Sequence, residues 1–177
     1  MKKLTIFSVT LLLMAAVFAF SLIQGWKITD KYNISFSSNE AGGIFKTFKG
    51  NIVFDEQNLA TSNFDVTIDV ASINTGNGLQ NKHAKSDEWF DAVKYPVIRY
   101  TSKKIEKAGN AYQVTGDLEI RGIKKAFTIP FTFQHNGNGA TFNGTFNVNR
   151  NDFHIGKPGG DVSDMIKVTV AVPVVKQ

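Results

Sequence analysis

The side chains with the chemistry to act in this 177-residue chain are few: three histidines, a short acidic cluster and a late arginine. His83 lies four residues before Asp87, with Glu88 and Asp91 close behind, inside SINTGNGLQNKHAKSDEWFDAVKYP (72–96). A His and an Asp at i, i+4 share one side of a helical turn and could offer two ligands to a metal. A third would have to come from His135 or His154, which no short spacing joins to the pair, so no metal site is expected. Asp87 with Glu88, or Asp87 with Asp91, are carboxylate pairs of the kind general acid–base catalysis uses. Adjacent surface acids more commonly cap a helical turn or stay solvated. No G-x-S-x-G, H-E-x-x-H or cysteine occurs, so nothing supplies an activated nucleophile with an orienting base. The chain is not expected to be an enzyme. Arg150, in VNRNDFHIG (148–156), has the planar fork that suits a phosphate head, or a local pinning role with Asp152 or Asp91. KPGGD (157–161) is not a phosphate-binding loop, because a strand comes after it where such a loop needs a helix.

The elements that must position these residues have a period of two. Tyr112, Val114, Leu118 and Ile120 alternate with polar neighbours, as do Phe127, Ile129, Phe131 and Phe133. Phe142, Gly144, Phe146 and Val148 obey the same rule, then Ile166, Val168, Val170, Val172 and Val174. Such alternation predicts strands with one dry face and one wet face. Trp26–Ser37, Gly43–Phe54, Phe64–Ser72 and Val97–Ile105 read alike, which brings the expected count to eight strands. Short Gly/Asn-rich turns favour antiparallel neighbours. Eight such strands can close into a barrel or stack as a two-sheet sandwich. Twelve of the fifteen phenylalanines fall after residue 24, with Trp26 and Trp89, so the dry face is aromatic. At ~3.3 Å per residue the longer strands span roughly 30 Å. Their rings either fill a core or line a tunnel that suits an extended apolar chain.

The rhythm breaks at 72–96. Asn74, Gly76, Asn77 and Gly78 end a strand, and LQNKHAKS (79–86) carries fair helix formers. Ser86 is placed to cap a second short turn, with Asp87 and Glu88 at its amino end. Trp89 and Phe90 then offer large apolar area, and Pro96 forbids helix at Tyr95. The break reads as a helical connection, around residues 78–91, lying across something apolar.

At the other extreme of the chain, Lys2 and Lys3 precede the uncharged run LTIFSVTLLLMAAVFAFSLI (4–23). This is the pattern of a secretory signal peptide over residues 1–21, with an uncleaved membrane anchor as the alternative. Residues 22–177 then form one domain. The absence of cysteine excludes disulfides and a lipidated cysteine anchor. Without Lys2 and Lys3 the formal charge falls from +5 to +3, and the basic residues are scattered, so nucleic acid is not an expected partner.

Several motifs together carry a resemblance. SINTGN (72–77), H-x-x-S-x-x-W-F-D (83–91), VKYP (93–96), GDLEIRGIKK (116–125) and VNRNDFHIG (148–156) keep the order and spacing of the bacterial YceI-like family, a polyisoprenoid-binding, lipocalin-like domain. GGIFKTFKGNIVFD (42–55) resembles its early segment, so the likeness covers essentially the whole chain after the leader. The resemblance implies an all-β fold, an eight-stranded antiparallel lipocalin-like barrel, periplasmic or secreted, and in some members dimeric. It further implies a long isoprenoid or fatty amphiphile held in an apolar pore, the alternatives being a filled, structural or stress-related envelope protein or an enzyme acting on a lipid; no cofactor is expected. On that basis the expected pore wall is Phe45, Phe48, Trp89, Phe90, Phe127, Phe131, Phe142 and Phe146, with His83 and Arg150 at a polar mouth. The chain departs from the family pattern at Gln80 and Asn81, where an Arg-Asp pair is common, at Ala84, where a Leu is usual, and at His154, where a glycine is common.

Overall fold

Alternation becomes strand throughout residues 25–177, the part of the chain that the computed structural model describes; the expected leader, residues 1–21, lies outside it. In chain order the strands are β1 (Gly25–Ile28), β2 (Asn33–Ser37), β3 (Gly42–Phe45), β4 (Phe48–Val53), β5 (Asn63–Asp69) and β6 (Ile73–Asn74). The helix α1 (Gly78–Ala84) comes next, then β7 (Val97–Ala108), β8 (Ala111–Ile120), β9 (Ile123–Asn136), β10 (Gly139–Asn149) and β11 (Met165–Lys176).

The six short strands are three long staves, each broken in the middle. β1 and β2 both pair with β11, β4 and β3 pair with β1 and β2, and β5 and β6 pair with β4 and β3. With the five long strands they make eight staves, all pairings are antiparallel, and β1 against β11 closes the ring. The barrel alternative is therefore the one realised. Closure removes the exposed edges that an open sheet would present.

The breaks have a local cause and are sealed by side chains. The ladder between β11 and the first stave is interrupted at Pro173, which has no N–H to donate, although its carbonyl still accepts from Thr29 N at 3.0 Å. One hydroxyl serves the first and second breaks: Tyr32 Oη donates to Lys46 O at 2.8 Å and accepts from Phe48 N at 3.1 Å. Ser72 Oγ accepts from Thr47 N at 3.0 Å and joins the second break to the third. Backbone groups freed by the missing ladder are thus paired again. A second proline marks the end of another ladder. β9 and β10 stay in register only as far as Phe131 opposite Gly144, and the next residue of β9 is Pro130. A Cβ at Gly144 would lie 2.9 Å from the Pro130 carbonyl, a close approach that only glycine permits.

One end of the barrel interior is solid. Phe54, 1% exposed, packs edge-on against Tyr112, Phe131, Phe133 and Phe142 at centroid distances of 4.9 to 5.6 Å. Trp26 closes over Phe133 at 5.2 Å and donates its indole N–H to Phe54 O at 2.9 Å. Edge-to-face pairs of this sort add about 0.5–1.5 kcal/mol each beyond their burial. A tunnel along the whole strand length is therefore not what these rings build; they plug one half of the barrel.

Two tyrosines tie this half to alkaline stability. Tyr100 is buried, and its hydroxyl donates to Val114 O at 2.9 Å and Phe127 O at 3.2 Å. Burial, then the nearby Asp117 charge, holds its pKa well above the ordinary value. Tyr112 donates to Glu56 Oε1 at 2.8 Å and is pushed up to about 12, first by desolvation and then by Glu56. For a raised pKa the unfolded chain loses its proton first as pH rises, so folding stability falls above about pH 10. Urea midpoints measured across the alkaline range should decline from that point, and Tyr112→Phe should make the decline shallower. An identical decline in the variant contradicts this assignment.

Candidate functional site

The other end is hollow, and the 72–96 connection roofs it. Asn77 caps α1, its Oδ1 accepting from Leu79 N at 2.9 Å and Gln80 N at 3.2 Å. The helix buries none of its own residues. Beyond α1 the chain runs through a series of turns and forms no second helix: Trp89 N and Asp91 N both donate to Ser86 O, and Phe90 N donates to Ala84 O. Ser86 therefore caps with its carbonyl, while its hydroxyl is buried without a partner. Asp91 takes a left-handed φ of 48°, which turns the chain and seats Phe90 against Phe45, ring centroids 6.1 Å apart.

Two arginines fasten this roof. Arg121 occupies the tight β8–β9 turn with Gly122, both at positive φ as a type I′ hairpin turn requires. Its guanidinium donates to Asp87 O at 2.9 Å and also to His154 O. Arg150 is 2% exposed. Its Nε donates to Ser163 O at 3.1 Å, its Nη1 to Ile155 O at 2.8 Å, and its Nη2 to Val162 O and Asp164 Oδ1, each at 2.9 Å. Its cation also lies 5.8 Å from the Trp89 ring centroid. Arg150 thus neither pairs with Asp152 or Asp91 nor projects a free fork into a mouth; its partner is Asp164, and Asp152 instead meets Lys125 at 3.4 Å. Beside it, His154 stands at φ 54°, where a glycine would be at ease and another residue costs about 1 kcal/mol. Gly156, at φ 65°, keeps a close passage: a Cβ there would lie 3.3 Å from Trp89.

Beneath the roof is a cavity of about 530 Å³, continuous in its walls with a deeper chamber of about 140 Å³. Ile34, Ile68, Ile98, Leu118, Phe146 and Val168 line both. Of the rings expected at a pore wall, Phe45, Trp89 and Phe90 border the upper chamber, Phe48, Phe131 and Phe142 the lower, and Phe146 both. Phe127 borders neither; it packs behind Phe146 at 5.6 Å. His83 and Arg150 border the upper chamber. His83 is mostly exposed, with Nε2 3.5 Å from Glu88 Oε2 and its ring edge-on to Trp89. Among the described residues, no three His, Cys, Asp or Glu side chains gather as a metal site would require.

The aliphatic side chains that line both chambers lie on the inward faces of alternating strands, where a period of two places them. Glu40 and Asp161 at the mouth, and the clamp of Arg121, left no such signal: they meet the site only through the fold.

A YceI-like domain model matches residues 26–174, the span of the barrel. The chain belongs to the YceI-like family. Protein YceI of Escherichia coli O157:H7 is 30% identical over 141 residues, covering 76% of this chain and 74% of that one. The UPF0312 protein plu2095 of Photorhabdus laumondii is 43% identical over 83 residues, a match that spans only 43% of that protein and 47% of this chain. The crystal structure of Burkholderia cenocepacia BcnA superposes with a TM-score of 0.80 at 31% identity, covering 83% of this chain and 99% of that one. A polyisoprenoid binding domain from Saccharophagus degradans shares the YceI-like fold alone, with a TM-score of 0.66 at 13% identity over 88% of this chain and 99% of that one.

Proposed function

We propose that this chain is an exported carrier that encloses the apolar part of an isoprenoid or fatty amphiphile and performs no reaction on it. The observation that carries this reading is the mainly apolar chamber at one end of the barrel, walled by aliphatic and aromatic side chains and open toward a polar rim. At ~30 Å³ for a group of water or methylene size, the upper chamber alone has room for roughly 18 such groups. Burying chain carbon is worth about 0.8 kcal/mol per CH₂, so ten carbons supply ~8 kcal/mol before the costs of association. The structural likeness to a polyisoprenoid binding domain supports the ligand class, and the basic start with its apolar run supports export to the periplasm or beyond. The His83–Glu88 pair that borders the chamber, 3.5 Å apart, is exposed to solvent, and a carrier requires no chemistry of it.

Trp89 makes the test direct, since it borders the chamber while Trp26, the second tryptophan, sits in the plug. Titrating the protein with hexadecanol should give a saturable change in tryptophan emission that Trp89→Phe removes. No saturable change, with no hexadecanol retained on gel filtration, contradicts the carrier reading.

A further inference from the structure

We infer that the head group this cavity accepts is uncharged or cationic and brings hydrogen-bond donors, and that phosphate, pyrophosphate and carboxylate heads are disfavoured. The inference rests on the carrier reading above and adds the ligand's polar end. The ionisable side chains that border the upper chamber are Glu40, Glu88 and Asp161 against Lys157 and Arg150, with His83 formally neutral. Arg150 is the group an anionic head would need, yet its Nε and both Nη atoms are donating to protein oxygens, and Asp164 balances its charge at 2.9 Å. Lys157 leans toward Glu88, 3.8 Å away, which His83 also approaches. Glu40 and Asp161 carry no ion pair and are exposed at the mouth. The rim therefore holds an excess of two formal negative charges once Lys157 and the Arg150–Asp164 pair are counted.

The hydrogen-bonding inventory points the same way. Two free carboxylates accept and cannot donate. Thr75 Oγ1 already lies 2.9 Å from Asn81 Oδ1, and the donors left uncommitted around the chamber are the Gln80 amide and the buried Trp89 indole N–H, which an amide or alcohol oxygen can satisfy without adding charge. A primary amine, a primary amide or an alcohol brings the missing donors; a phosphate brings more acceptors and more negative charge. One unit charge about 6 Å from another, at the effective dielectric of a protein edge, is worth more than a tenfold change in affinity.

The experiment compares three amphiphiles of one chain length, hexadecylamine, hexadecanamide and hexadecyl phosphate, by equilibrium dialysis against the full-length mature protein at low salt. The amine and the amide should bind at least about tenfold more tightly than the phosphate, and added salt should narrow the gap between amine and phosphate. The double variant Glu40→Lys/Asp161→Lys should reverse the order of amine and phosphate. Equal or tighter binding of the phosphate by the unaltered protein overturns the inference and leaves the carrier reading standing, as does an order that the double variant does not move. Binding of none of the three overturns both.

Discussion

Replacing Arg150 by alanine is expected to cost about 2–4 kcal/mol of folding stability, the scale of losing charge-assisted hydrogen bonds to several carbonyls at once. The loss has two sources. The carbonyls of Ile155, Val162 and Ser163 lose the donors that satisfy them, and the Trp89 ring loses the cation 5.8 Å from its centroid, while Asp164, with its side chain 43% exposed, turns to water. Those carbonyls belong to the chain between the 3₁₀ turn Arg150–Phe153 and β11, which forms one side of the cavity mouth. The variant should therefore bind amphiphiles less well for a reason unrelated to head-group contact. Arg150→Lys should recover only part of the stability, because a single ammonium cannot place three nitrogens against three separated carbonyls. Urea unfolding monitored by circular dichroism measures both variants. A loss below about 1 kcal/mol for Arg150→Ala contradicts the pinning role.

Filling the cavity should separate binding from folding. Ile68 and Val168 line both chambers, so Ile68→Phe together with Val168→Phe places two rings where the chain of a ligand would lie. The expected result is amphiphile uptake reduced by at least about a hundredfold, since losing four buried methylenes' worth of contact already removes ~3 kcal/mol. Stability should hold or rise, as cavity-filling substitutions commonly add about 0.5–2 kcal/mol. Hexadecanol retention and the urea midpoint, measured on the same preparation, give the two readouts. Unchanged retention in a folded variant would place the ligand elsewhere.

Much of the barrel was legible because alternation reports a local fact, that each strand has one dry face. In β8 the buried residues Val114, Leu118 and Ile120 fall where the pattern puts them. The connection over 78–91 was legible through its lost alternation, but Ser86 was not, since a capping side chain and a capping carbonyl look the same in sequence. Less was visible where distant residues decide. The break between β1 and β2 depends on Pro173, on another stave of the barrel. Arg150 offered Asp152 and Asp91 as near partners, yet the fold spends its guanidinium on residues 155–164. Whether rings fill or line the interior was equally hidden. Phe54 and Phe146 have the same inward placement in the pattern, and only the assembled barrel makes one the centre of a plug and the other a wall of the cavity.

The central claim is that the chamber holds a long apolar chain, and organic extraction of natively purified protein with mass spectrometry of the extract tests it most directly. A denatured and refolded sample serves as the control. The carrier account predicts a stoichiometric isoprenoid or fatty amphiphile in the native sample alone, and the rim charges predict that its head is not a phosphate. An empty native extract, together with no uptake of added polyprenyl alcohol or hexadecanamide, would contradict the account and leave the cavity without its proposed occupant.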